Sequence, residues 1–276
     1  MSLSPGFAES LFEPGALSLS TVIWASVALV SYGLAAALPA AARWGGPALV
    51  AGLMGHLVLL AVDIGHLGLS GGAARLGFGP VMSLTVCAVV AVHAVESRLL
   101  PVPRVRRALA AAGVAAVTLA LAFPGDLRVL GSPWAPVHWL LGVAAYGLFG
   151  AAVLHALLLD ESERRLRRHR TVAQSSDAPA MPLLQLERIT FRFVQAGFIV
   201  LSAAILLGMA TSTRWRLDHK TVLSMGSWLL FAALLAGRHW SGWRGRRATR
   251  WLYAGALVLL LAYAGTRFVT EVLLGR

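Results

Sequence analysis

Residues 129–159 read VLGSPWAPVHWLLGVAAYGLFGAAVLHALLL, without a single Asp, Glu, Lys or Arg. A helix crosses the hydrocarbon of a bilayer with about 20 predominantly apolar residues, and this stretch exceeds that length. Its Ala, Leu and Gly follow one another continuously instead of alternating, which argues against a membrane strand. Working outward, further stretches free of these charges cover 14–42, 44–62, 76–95, 108–123, 193–213, 221–237 and 251–266. The shorter two, 108–123 and 251–266, lengthen when Arg107, Arg250 and Arg267 extend their heads to the interface. The fold class expected is all-α: a polytopic membrane bundle of about eight transmembrane helices, forming one membrane domain over residues 1–276.

Composition points the same way. Hydrophobic residues make up 58% of the chain and charged residues 13%, with a mean hydropathy of +0.73. Soluble domains are about a quarter charged, so this chain has too little polar surface to cover a water-soluble core. The net charge of +12 would suggest nucleic acid in a soluble protein. Here the cations are arginines and one lysine, Lys220, set beside apolar runs. No basic platform interleaved with aromatics is present. Nucleic acid is excluded as a partner, and anionic lipid headgroups are expected instead. Cys87 is the sole cysteine, so an internal disulfide, a CxxC redox pair and a cysteine-rich zinc site are ruled out.

The arginines also orient the chain. Arg43, Arg98, Arg104, Arg106, Arg107, the 164–192 group and the 238–250 group fall on one side of the expected bundle. Arg75, Arg128, Arg214, Arg216, Lys220, Arg267 and Arg276 fall on the other, giving 17 cations against seven. By the positive-inside rule the richer side is cytoplasmic, and both termini are external. The N-terminal segment carries Glu9 and Glu13 and lacks the basic start of a cleavable signal, so the first helix is expected to be retained. Residues 160–188, rich in Arg, Ser, Asp and Pro, are expected to extend a helix into the cytoplasm and continue as a linker.

Eight histidines are many for so apolar a chain. His66, His138 and His219 fall near the external face. His56, His93, His155 and His239 fall in the membrane or near its inner face, and His169 in the cytoplasmic linker. An imidazole in a bilayer is costly unless it is paired or ligated, and neutral imidazole is a good axial ligand for haem iron. The alternative for each is a hydrogen bond to a neighbouring helix. Asp63 lies seven residues after His56, about 20° round an ideal helix. It is placed to orient an imidazole, relay protons or pair with Arg75. Arg267 stands four residues before Glu271, either as its ion-pair partner or as a holder of a carboxylate.

Three stretches together resemble a known family. Val137-His138-Trp139, followed by Ala145-Tyr146-Gly147-Leu148-Phe149, is similar to the start of a core helix in the cytochrome c assembly proteins. Trp215-Arg216-Leu217-Asp218-His219-Lys220-Thr221 is similar to the end of their tryptophan-rich external motif. Gly242-Trp243-Arg244-Gly245-Arg246-Arg247 resembles the cytoplasmic motif after the next helix. The chain thus resembles the CcsA/CcmC/HemX superfamily, and most of all its short eight-span YpjD-like and HemX-like branch, over about residues 130–272.

The resemblance implies haem (b-type) as cofactor, haem handling during cytochrome c assembly, and other maturation proteins as partners. It makes His138 the external ligand to iron and His56 a transmembrane one. His239 lies about a turn from the family's second transmembrane position, which holds Ala236. The second external histidine would fall around Leu273–Gly275, where none occurs. His66 or His219 would then complete an external pair, with Asp218 or Asp63 fixing the tautomer of His138. Trp215 would stack on the macrocycle, and Arg214, Arg216 or Arg267 would hold its propionates. The missing histidine implies an accessory of haem handling, not a self-sufficient synthase. Alternatives are a HemX-like regulator of haem synthesis and a transporter with a His56–Asp63 proton relay. A reporter fused at position 170 is expected to read out the cytoplasm, and one fused at the C-terminus the external side. The reverse pattern overturns every assignment of side.

Overall fold

The computed structural model describes residues 18–39, 41–64, 73–75, 77–96, 103–125, 127–129, 133–169, 183–211 and 218–269. Among the described residues, eight helices are long and apolar enough to cross a membrane. They are α1 (Leu19–Ala37), α2 (Gly45–Ile64), α3 (Phe78–Glu96), α4 (Pro103–Ala122), α5 (Ala135–His169), α6 (Leu183–Thr211), α7 (His219–Ser241) and α8 (Gly245–Leu260). A π-helical turn, Leu261–Gly265, continues α8. Each charge-free stretch read from the sequence holds one helix. Within the 160–188 segment α5 runs on to His169, the expected extension, and α6 begins at Leu183; residues 170–182, where the linker was expected, lie outside the described residues. The all-helical expectation also omitted one detail. Strands β1 (Ala73–Arg75) and β2 (Leu127–Val129) pair antiparallel, Ala73 opposite Val129, between the ends of four helices.

Backbone satisfaction in lipid explains much of the local structure, because the bilayer core offers no water to bare N–H and C=O groups. The Ser18 hydroxyl accepts from the Thr21 N–H at 3.1 Å and starts α1. Two arginines of α4 close its far end. Arg106 donates to the Pro39 carbonyl and Arg107 to that of Ala36, each at 2.9 Å. Cations there also complement the negative end of the helix dipole. The α7–α8 turn is built by Gly242-Trp243-Arg244-Gly245. Gly242 adopts a left-handed φ of 62°, ending α7, and the Trp243 N–H reaches the Gly237 carbonyl at 3.2 Å. The Arg247 guanidinium then covers the Trp243 ring at 4.2 Å.

Side-chain packing divides the bundle into halves. Buried residues of α1–α4, with Tyr32, Leu49, Val90 and Val117 among them, make one core cluster. Buried residues of α5–α8 make the second, around the stacked rings of Phe149 and Phe231, whose centroids are 3.8 Å apart. α3 lies along α5 and joins the halves. At the arginine-rich end of the second half, Glu187 accepts from Arg238 at 2.7 Å. Asp160 accepts from Tyr253 at 2.9 Å and so ties α5 to α8. Phe231 is fully buried against its partner ring. Replacing it with Ala is expected to cost about 3–5 kcal/mol, read as a lowered thermal midpoint in detergent. An unchanged midpoint would show that the second half does not depend on this pair.

Candidate functional site

At the arginine-poor end of the second half a cavity of about 340 Å³ opens between α5–α6 on one side and α7–α8 on the other. This lies near the lower end of the ~300–1,000 Å³ range of small-molecule sites. His138 lines it, one turn into α5. So do Trp139, Tyr146, Gly208, Lys220 and Tyr263.

The environment of His138 fixes its chemistry. Nδ1 lies 2.9 Å from the Ala204 carbonyl oxygen on α6. A carbonyl only accepts, so Nδ1 carries the proton and Nε2 keeps its lone pair. A backbone carbonyl on the far nitrogen is a common way to orient a metal-binding histidine. The ring also rests against α6 where a side chain is missing. A Cβ on Gly208 would stand 2.8 Å from His138 Cε1. Asp218, one of the two tautomer partners expected from the sequence, does not play this part. Asp218 is engaged as the N-cap of α7, accepting from the Thr221 N–H at 2.9 Å and hydroxyl at 2.7 Å. The Asp63 side chain lies outside the described residues.

Those Thr221 bonds hold the Asp218 carboxyl below the usual aspartate range, so it stays ionised at the cavity rim. With the folded value depressed, its small stabilising effect is present above the ordinary aspartate range and is lost as pH falls from there through the depressed folded value.

Two cations frame Tyr263: Lys220 Nζ lies 4.8 Å and the Arg267 guanidinium carbon 5.6 Å from its ring centroid. The π-helical turn carries this ring. The Tyr146 hydroxyl donates to the Leu259 carbonyl just before that turn, joining α5 to α8. Such turns need a tertiary or local partner for the carbonyl they release and are frequent at functional sites. On the α5 wall the Trp139 ring lines the cavity and packs against the α1–α4 core, its indole N–H buried away from the cavity and, like the Arg106 Nε, unpaired among the described residues.

The remaining predicted residues are spread out. His56 is fully buried in the first half, with Nδ1 3.3 Å from the Tyr32 hydroxyl and Nε2 2.6 Å from the Ser83 hydroxyl. Both its nitrogens are therefore engaged. His239 is exposed at the arginine-rich end beside Trp240. His155 donates to Ala151 of its own helix, and His93 is buried near the end of α3. His219 begins α7 and is exposed between Asp218 and Lys220. His66, Arg214, Trp215 and Arg216 lie outside the described residues, as do Glu271 and the side chains of Arg75 and His169. Sequence reasoning missed Trp139, Met209, Met225 and Tyr263 as cavity residues. Tyr146 was visible only as part of the family motif.

A helical membrane bundle with a histidine-bearing cavity at one end defines a class of polytopic membrane protein. Residues 76–274 match the family described as Cytochrome C assembly protein, and the chain belongs to it. It is 30% identical to the inner membrane protein YpjD of Escherichia coli K12, over 72% of this chain and 75% of that one. It is 35% identical to an uncharacterized 28.8 kDa protein of Azospirillum brasilense, over 57% of this chain and 60% of the relative's length. A shorter match, 32% identical over 90 residues, is to the cytochrome c biogenesis protein CcsA of Prochlorococcus marinus MIT 9515, of which it covers 29%. No solved structure matches the chain.

The tight fit of His138 against Gly208 has a measurable consequence. Gly208→Ala is expected to displace the ring and lower stability by about 1–3 kcal/mol, as overpacking does. Gly142→Ala, where the new methyl meets nothing within 4 Å, is expected to stay within about 0.5 kcal/mol of the parent. Thermal unfolding in detergent checks the pair, and equal midpoints would refute the packing described.

Proposed function

We propose that this protein binds and handles haem at the external side of a bacterial inner membrane as an accessory of cytochrome c assembly. One observation carries the reading: the His138 Nδ1–H is held by the Ala204 carbonyl, which leaves Nε2 as a neutral ligand lining a cavity. Family membership supports it. So do the names of two relatives, one an inner membrane protein and one a cytochrome c biogenesis protein.

The donor set fits a haem. Nε2 of His138 would bind iron. Lys220 and Arg267, both beside Tyr263, would hold the anionic propionates, helped by Arg214 or Arg216. Leu201, Ile205 and Leu259 cover apolar surface and exclude water. Trp215 would stack on the exposed face. When bound, haem supplies the iron and the reactive macrocycle; the chain's residues bind, orient and shield it. In this reading His56 is a structural residue, linking α1, α2 and α3 through Tyr32 and Ser83. His219, exposed at the start of α7 between Asp218 and Lys220, would assist at the rim.

His138→Ala, produced under haem-replete conditions, is expected to lose most of the haem that the parent retains. Added imidazole is expected to restore part of it. His56→Leu is expected to lower stability and leave haem content per folded protein unchanged. Pyridine haemochrome assays on purified protein test both variants. Full haem content in His138→Ala, or a parent that never takes up haem, would falsify the ligand assignment.

A further inference from the structure

We propose that Met225 is the second axial ligand, so that haem here is held by a histidine and a thioether from opposite walls of the cavity. This rests on His138 as the first ligand. Axial ligands must approach a macrocycle from its two faces. His138 belongs to the α5–α6 side, its ring backed by Ala204 and Gly208 of α6. Among the described residues the opposite ligand therefore comes from the α7–α8 side. The heteroatom side chains lining the cavity there are Asp218, Lys220, Thr221, Ser224, Met225 and Tyr263.

Chemistry selects among them. Asp218 is engaged by Thr221. Lys220 is a cation placed over Tyr263 and would have to lose its proton to ligate. Neutral hydroxyls are poor ligands for haem iron, and the Tyr263 phenol would have to lose its proton to ligate. The Met225 thioether is neutral, soft and deprotonated by nature, and Met opposite His is a known haem pairing that raises the reduction potential. Met209 also lines the cavity. It follows Gly208 on the helix that backs His138, so it stands on the wrong wall. Among the described residues His138 is the only histidine lining the cavity. A His–Met pair would accommodate the absence of histidine around Leu273–Gly275 and would favour ferrous iron.

The test is to load the purified full chain with haemin and record absorption, electron paramagnetic resonance and reduction potential. The variants are Met225→Leu, Met225→His, Met209→Leu and His138→Ala. The parent is expected to be low-spin, with the long-wavelength thioether-to-iron charge-transfer band in the ferric state. Met225→Leu is expected to lose that band and turn high-spin while keeping haem within a few-fold of the parent's affinity. Met225→His is expected to return to low-spin at a lower potential. Met209→Leu is expected to keep the thioether-to-iron band. A parent without the band, a Met225→Leu protein that keeps it, or loss of the band in Met209→Leu overturns the proposal. If haem leaves with His138→Ala yet Met225→Leu is unchanged, Met225 is wrong and His138 stands. If haem and its spectrum survive His138→Ala, both assignments fall.

Discussion

One hydrogen bond organises this half of the molecule: the His138 N–H to the Ala204 carbonyl, linking α5 to α6. Inside a bilayer a polar group has no water to fall back on, so such a bond is held in place by the cost of breaking it. It chooses the tautomer, turns the ring toward the cavity and needs the bare backbone of Gly208 to lie flat. The rest of the site follows from that placement. α7 and α8 must stand off from α5 to leave the cavity. The Tyr146 bond to Leu259 then closes the contact between α5 and α8 deeper in the bundle.

The two halves answer the same constraint differently. In α1–α4 His56 lies between Tyr32 and Ser83, and arginines of α4 cap the end of α1, with the buried Arg106 Nε left over among the described residues. In α5–α8 the arginine-rich end is closed by Arg238–Glu187 and by Tyr253 and Thr249 on Asp160. The other end keeps a cavity lined by His138, with Lys220 and Arg267 beside the Tyr263 ring. A cavity with polar groups in its lining, inside an apolar bundle, is where a polar or metal-bearing ligand fits.

Much of this could be read from the residues. Charge-free stretches mark spans because hydrocarbon thickness sets their length, and all eight hold helices. His138 stood out because depth, flanking prolines and family motif coincided, and the structure places it in the cavity. The Gly242–Arg247 motif was recognisable as a signature, but its purpose was not: a left-handed turn with Trp243 folded back under Arg247. Partners of polar groups stayed hidden because they lie on other helices. Nothing near His56 in sequence points to Ser83, and nothing near Tyr263 points to Lys220. The π-helical turn leaves no periodicity of its own, since a tyrosine on another helix takes up the carbonyl. The β1–β2 ladder is too short for an alternating pattern.

The most direct measurement is a cryo-electron microscopy map of the haem-loaded protein in lipid nanodiscs. Haem is expected between α5–α6 and α7–α8, iron bonded to His138 Nε2, with Nδ1 still on the Ala204 carbonyl. Haem seated elsewhere, or in the cavity with His138 unligated, would contradict the central claim.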